Sequence, residues 1–320
     1  MISLMLKSPG FNQVKSCLIC HNKNFRTWAT TSYKKYLDFR PDLQNDTDPI
    51  KKQPSLYTHQ ILLKQCVKCD FIFSALQITS EALSKLYEKN SSYYSHYADE
   101  ITPAMQALIA SYRVEIQNLE KIKNGGKLLE IGCSGGLLLS LLGKQWEITG
   151  VDIDKNAITA ARKRLGKRAQ LIYAPLHKAN LPNGTFDVVL MRAVLEHIPD
   201  PRSFLQIANQ LLKPGGLVAI TVPNISSLCG QLYKEYFRMV DPIHHIWYFS
   251  PKTLKLLLTS YDFKIDKITY NYFNTPYFHP KDILLFTKDW LIFQLSKQKP
   301  MRASPPFYGS LMDVYAHKEL

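Results

Sequence analysis

Residues 128–136 read Leu-Leu-Glu-Ile-Gly-Cys-Ser-Gly-Gly, and this string restricts the fold more than any other in the chain. An apolar run of strand length ends at a carboxylate, Glu130. Three glycines, Gly132, Gly135 and Gly136, then turn the chain ahead of the apolar run at 137–142. Glycines in such a turn tolerate left-handed backbone and let a ligand approach the main chain. The pattern predicts a strand over 127–131 and a helix over 137–142. Downstream, 147–151, 171–173, 186–191 and 217–222 read as strands, and 154–164 and 204–212 as helices, with Asp154 as an N-cap. Lys213-Pro-Gly-Gly216 reads as a stop and turn before the strand at 217. Strands alternating with helices give a parallel sheet, so the expected class is α/β and doubly wound.

Asp152 ends the second strand about 20 residues beyond the first glycine, where nucleotide folds of this kind need a carboxylate for ribose hydroxyls. The dinucleotide fingerprint G-x-G-x-x-G nevertheless fails at Ser134 and Leu137, and the string Gly-Lys-Ser/Thr of a phosphate loop is missing there. What remains is acid-x-Gly-x-x-x-Gly at Glu130, Gly132 and Gly136. A carboxylate two residues before the first glycine repels a pyrophosphate but suits an amino-acid ammonium. This favours S-adenosyl-L-methionine over NAD. The plain alternative is a glycine turn that serves only the packing of an α/β protein.

The strings EIGCSGG, GVDID, LPNGTFDVVLMRAVLEHIPDP and LLKPGGLVAITVPN follow one another over about residues 126–224. In that order they resemble the successive motifs of class I S-adenosylmethionine-dependent methyltransferases. The resemblance implies a Rossmann-like, mostly parallel sheet, with Glu130, Gly132, Ser134 and Gly136 around the methionine part of the cofactor. It also implies Asp152 on the ribose and Ile153 on the adenine. Many members carry Asp beside the adenine amino group; this chain reads Ala174-Pro175-Leu176, which moves that contact to backbone at Leu176. Relatives that bind magnesium carry Glu-x-x-Glu-His, whereas Ala193 stands three before Glu196-His197. Metal-assisted transfer is therefore disfavoured.

Cys17-x-x-Cys20 and Cys66-x-x-Cys69 form two pairs, each with the gap that lets both thiolates face one tetrahedral zinc. The loop between them is longer than in compact zinc ribbons. The alternatives are four buried thiols or a redox pair, the latter weakened because neither pair follows a strand at a helix start. The arrangement resembles a subset of bacterial methyltransferases with an N-terminal zinc-ribbon-like module, whose members act on sugars or in polysaccharide biosynthesis. That likeness implies a structural Zn2+ on Cys17, Cys20, Cys66 and Cys69, with no open coordination position. Cys133 and Cys229 read as small packed residues.

Methyl transfer is an in-line displacement, so alignment is the protein's main contribution, worth roughly 7–11 kcal/mol. An oxygen or carbon acid also needs a base, worth about 10²–10⁴-fold. His197, in VLEHIP, falls at the carboxyl edge of the sheet, where it can act as base, touch substrate, or merely fix the turn through Glu196. His245, in HHIWYFS, matches the histidine of the resembled family's His-x-x-x-Phe-Ser element, which implies a base. His244 stands where relatives commonly carry Arg or Glu. Tyr93, Tyr94 and Tyr97 offer either a roof over a sulfonium or linker packing.

Forty Lys+Arg against 26 Asp+Glu leave a net charge of +14, and 46% of residues are hydrophobic. The apolar share excludes disorder along the whole chain. The charge suits a phosphate-bearing acceptor, an acidic membrane surface or nucleic acid without choosing among them. No apolar run approaches the 18 or so residues of a membrane span, and the first residues lack signal-peptide character. Reduced thiols and a cytoplasmic location are therefore expected. An amphipathic tail with Ile283, Leu284, Leu285, Trp290, Leu291 and Phe293 leaves peripheral contact with an inner membrane face open. The expected organisation is a zinc-ribbon-like module at 1–77, a helical linker or lid at 78–123, a catalytic domain at 124–275 and a tail at 276–320. The expected function is methyl transfer to a hydroxyl or activated carbon of a sugar, nucleotide-sugar or lipid-linked glycan. An RNA methyltransferase and a non-catalytic binding protein with a vestigial cofactor fold are the alternatives. The RNA reading is disfavoured by dispersed lysines and the lack of a recognisable RNA module.

Overall fold

The computed structural model describes residues 11–40, 57–79, 102–273 and 275–319. Its N-terminal elements are short: β1 (Phe11–Gln13), β2 (Phe25–Thr31), α1 (Tyr33–Asp38), β3 (Ile61–Cys66), β4 (Ile72–Ser74) and β5 (Leu76–Ile78). Strands β2, β3 and β4 pair antiparallel in sequence, and β1 pairs with β5. The tyrosines considered as a roof, Tyr93, Tyr94 and Tyr97, lie outside the described residues.

From residue 102 helices and strands alternate: α2 (Pro103–Glu120), β6 (Gly126–Ile131), α3 (Leu137–Ser140), β7 (Trp146–Asp152), α4 (Lys155–Leu165), β8 (Ala169–Tyr173), β9 (Phe186–Arg192), α5 (Pro201–Leu211) and β10 (Leu212–Pro223). Then follow α6 (Leu228–Tyr233), β11 (Trp247–Tyr248), α7 (Pro251–Thr259), β12 (Phe263–Thr269), α8 (Pro280–Ser296) and β13 (Leu311–Lys318). The central sheet has the order β12-β13-β10-β9-β6-β7-β8. Strands β8, β7, β6, β9 and β10 are parallel, while β13 runs antiparallel to both of its neighbours. This is the expected Rossmann-like α/β fold. The winding direction reverses between β6 and β9, and ligands of such sheets bind outside the carboxyl ends of the strands at that point.

Local chemistry explains where the helices begin. Asp154 accepts hydrogen bonds from the N–H groups of Asn156 and Ala157 and caps α4, as expected. Ser250 and Thr253 cap α7 reciprocally, with Pro251 in the first turn. Strands β6 and β9 are apolar on both faces because helices cover both sides; Leu128, Leu129, Val188 and Val189 are fully buried.

Three elements differ from expectation. The segment Lys213–Gly216 does not end the helix in a free turn; it is an irregularity within β10, between Leu212 and Leu217, which both pair with β9. The helix after the glycine loop stops at Ser140, whose hydroxyl donates to the Leu137 carbonyl. Strand β13 was not foreseen. Asp313 sits in its middle, buried, where it accepts a hydrogen bond from Thr221 and is bonded to Asn271, so polar pairing inside the sheet masks the strand's apolar alternation. The central sheet thus draws a strand from the tail, while β11 leaves the catalytic segment to pair with β4. Among the described residues, no helix is long and apolar enough to cross a membrane. Removing the side chain of Leu129, buried in the middle of the sheet, is expected to cost about 2–5 kcal/mol, measured for Leu129→Ala by urea unfolding.

Candidate active site

A cleft of 410 Å³ opens at the carboxyl ends of the parallel strands, and Glu130, Gly132, Ser134, Asp152, Ile153 and Leu176 all line it. Six of the seven residues expected to hold the cofactor are thus brought together. Gly136 is not among the lining residues; with φ at 69° it starts α3, and a Cβ there would come within 2.8 Å of Leu165 and 3.1 Å of Ala161. Its role is the close packing of α3 on α4. Gly132, at φ 73°, faces Val194 so closely that a Cβ would stand 2.7 Å from Cγ2. Ser134 takes a left-handed φ of 50° in place of glycine, and its N–H donates to Asp152 Oδ2 at 2.8 Å.

The other Asp152 oxygen, Oδ1, accepts from the Asp154 N–H at 2.9 Å. Burial raises the Asp152 pKa, and these backbone donors oppose that rise. Glu130 is more isolated. It is buried, its Oε2 has no partner among the described residues, and desolvation holds its pKa well above the usual carboxylate range against the attraction of Arg192. A buried, unsatisfied carboxylate is costly and marks a place for a cation or donor. Ile153 keeps 45% of its surface exposed at the cleft edge.

Sequence reasoning missed further residues of the cleft. Leu108, Tyr112, Arg192, Val194 and Phe204 also line the cleft. Arg192, the last residue of β9, donates from Nε and Nη2 to both oxygens of Glu115, at 2.8 and 3.1 Å, with its guanidinium 4.4 Å from the Tyr112 ring centroid. Burial disfavours its charge, but the Glu115 carboxylate outweighs this and raises the pKa. The signal was a cation directly following the apolar run Val188–Met191.

The two histidine candidates are in contact, but His245 is not among the residues that line the cleft. His197 lines the cleft, and the His245 ring packs edge-on against it with centroids 4.6 Å apart. The N–H groups of Ile246 and Trp247 donate to the Glu196 carbonyl at 2.8 and 3.3 Å, and Trp247 Nε1 donates to the Ile198 carbonyl at 2.8 Å. These bonds hold the remote segment in place. His245 Nδ1 lies 2.8 Å from the Met239 carbonyl, which only accepts, so Nδ1 carries the proton and Nε2 a lone pair. Burial lowers the His245 pKa, with Asp241 opposing. Burial, helped by the neighbouring histidines, holds His197 well below its ordinary value. Both rings are neutral near pH 7. His244 turns away, its Nδ1 2.8 Å from Asp241 Oδ2.

Two groups of donor atoms cluster within 4.8 Å: Cys17, Cys20, Cys66 and Cys69, and Glu196, His197 and His245. The second is a mixed carboxylate and imidazole set, in which burial pushes the Glu196 pKa up to about 8. In the first, Sγ of Cys17 lies 3.5 Å from that of Cys69, and Sγ of Cys20 lies 3.4 Å from that of Cys66. Tetrahedral zinc–sulfur bonds of 2.3 Å place sulfurs about 3.8 Å apart, close to these separations. Each pair closes the same turn: the N–H of His21 donates to Cys17 and that of Asp70 to Cys66, both at 3.0 Å, and both residues adopt positive φ.

A family profile described as a methyltransferase domain matches residues 104–268. The human mitochondrial ubiquinone biosynthesis O-methyltransferase is 35% identical over 150 residues, covering 42% of this chain and 41% of that protein. The ubiquinone biosynthesis O-methyltransferase of Caulobacter sp. strain K31 is 37% identical over 145 residues, covering 42% of this chain and 58% of that protein. The chain spans about half the length of the curated relatives it matches. Among solved structures, a SAM-dependent methyltransferase from Thermotoga maritima aligns with a TM-score of 0.50 at 20% identity, covering 72% of this chain and all of that one. That likeness concerns the fold. The names of the relatives overturn the sugar, nucleotide-sugar or glycan acceptor expected above.

Glu196 also makes stability depend on pH. Its carboxyl titrates near pH 8 in the folded chain and near 4.5 when unfolded, so between these values the folded state holds the extra proton. Stability falls as pH rises through that window. Urea unfolding at pH 5 and pH 8 is expected to show a smaller decline for Glu196→Gln than for the native chain.

Proposed function

We propose that this chain, which belongs to the methyltransferase-domain family, transfers the methyl group of S-adenosylmethionine to a hydroxyl on an apolar, ring-bearing acceptor, the O-methylation for which its relatives in ubiquinone biosynthesis are named. The observation that carries this reading is Glu130, a buried carboxylate with an unpartnered oxygen, set across the glycine loop from Asp152 in one open cleft. Such a pair suits a ligand with an ammonium at one end and ribose hydroxyls at the other. Ile153 covers the adenine, and backbone at Leu176 meets its edge. When bound, the donor supplies a methyl group on a positively charged sulfur. Three carboxylates lining the cleft, Glu130, Asp152 and Asp154, favour that positive charge. An open cleft of this size also speaks against a vestigial fold.

The chain's own residues then align the acceptor and take its proton. Nε2 of His245 is the basic atom, kept unprotonated by burial and oriented through Nδ1. His197 packs the base and contacts the acceptor from the cleft wall. The apolar wall excludes water from the methyl in transit. Calorimetry is expected to detect S-adenosylhomocysteine binding to the native chain. His245→Ala should lower turnover about 10²–10⁴-fold with a phenolic acceptor while leaving that binding within about threefold. Unchanged turnover would remove His245 from the base role.

The four cysteines are read as a structural zinc site of an N-terminal module, supported by their all-sulfur set, by matching turns at His21 and Asp70, and by the short Sγ separations. Mass spectrometry under native conditions is then expected to find one zinc per chain. A fully folded chain without metal would refute the site.

A further inference from the structure

The cleft holds one permanently positive side chain among its described lining residues, and the reading above leaves it without a role. That side chain is Arg192, against the lining carboxylates Glu130, Asp152 and Asp154. A donor that ends in an amino acid brings a carboxylate of its own into this field. Three of the four charged walls repel it.

The fork of Arg192 is only partly used. Nε and Nη2 are bonded to Glu115, while Nη1 makes no protein hydrogen bond among the described residues. The bidentate pair with Glu115 and the Tyr112 ring beneath it hold the guanidinium in one orientation. Glu130 and Arg192 stand on adjacent parallel strands, β6 and β9. Glu130 is in register with Leu190, and Arg192, two residues further, shares the Leu190 face. Neighbouring strands lie about 4.8 Å apart. A negative and a positive group are therefore presented at diagonal positions on one face of the sheet. The α-ammonium and α-carboxylate of an amino acid, joined through one carbon, match that pattern with charges reversed.

We propose that Arg192, oriented by Glu115, binds the α-carboxylate of the methyl donor while Glu130 binds its α-ammonium, so that this pair selects a zwitterionic amino-acid end. The proposal rests on the methyltransferase reading and adds to it the part of the donor that Arg192 recognises. Glu115 is a positioning residue, since it acts through Arg192.

Calorimetry with two ligands tests this without any acceptor: S-adenosylhomocysteine, and its decarboxylated analogue, which keeps the adenosine, thioether and ammonium. The native chain should bind the carboxylate-bearing ligand about ten- to hundredfold more tightly. In the double variant Arg192→Met, Glu115→Gln, which removes both members of the ion pair, the two affinities should fall within about threefold of each other. Arg192→Lys keeps the charge but loses the fork, and it should give an intermediate ratio even where the double variant does not fold. Equal binding of the two ligands by the native chain, or a ratio that no substitution changes, overturns the role of Arg192. Binding of neither ligand by the native chain overturns the methyltransferase reading itself.

Discussion

The carbonyl oxygen of Glu196, just beyond β9 of the seven-stranded sheet, is bonded to the segment that enters the four-stranded sheet. It receives the N–H groups of Ile246 and Trp247, residues that also meet the cysteine-bearing sheet: the Ser74 N–H donates to the Ile246 carbonyl, and Trp247 pairs with Phe73 in β4. Trp247 stacks on Phe71, with ring centroids 5.7 Å apart. Because this joint is made of backbone bonds and buried aromatics, it holds the adjacent His245 against His197, a residue of the cleft. The N-terminal sheet thus helps to position the two histidines, even though none of its residues lines the cleft.

The same joint dries the site. His197, His245 and Glu196 are shifted by burial in the direction each neutral form requires: imidazole pKa values downward, the carboxyl upward. Across the cleft, Glu130 and Asp152 are shifted the same way as Glu196, but they face a ligand space rather than a sealed interior. Glu196 can stay protonated at neutral pH, whereas a cation entering the cleft stabilises the ionised Glu130. Two carboxyls with similar burial therefore differ in what can approach them. Leaving Glu130 half satisfied costs stability in the empty protein and favours binding when a cation arrives.

The part of the site set by local chain geometry was legible in the sequence. Glycine turns, a strand-ending carboxylate and an N-cap have fixed spacings, so local pattern alone leads to the expectation that Glu130, Gly132, Ser134 and Asp152 gather at one place, as they do, and that Asp154 caps a helix. Spacing does not show that a Cβ at Gly136 would meet α4, nor that this glycine stands outside the cleft lining. Arg192 and Glu115 lie 77 residues apart in sequence, so their pair is invisible to local patterns. The His197–His245 contact depends on the tertiary joint rather than on either motif. Strand β13 escaped notice because Asp313, satisfied by neighbours in the sheet, occupies a position where an isolated strand would need an apolar residue. The acceptor was drawn from family likeness in the cysteine module, a region that does not touch the cleft.

The place of β13 between β10 and β12 has a consequence for assembly. Thr221 and Asp313, bonded across two adjacent strands, are 92 residues apart. When β10 and β12 emerge from a ribosome, the slot between them is vacant, with amide and carbonyl groups on two bare edges. Premature annealing of those edges would shut out the strand that belongs there. In the folded chain Asp313 ties the inserted strand to both neighbours, accepting from Thr221 on β10 and from Thr269 on β12. The molecule is closed from the inside by a late arrival, and its maturation is a matter of timing as much as of affinity.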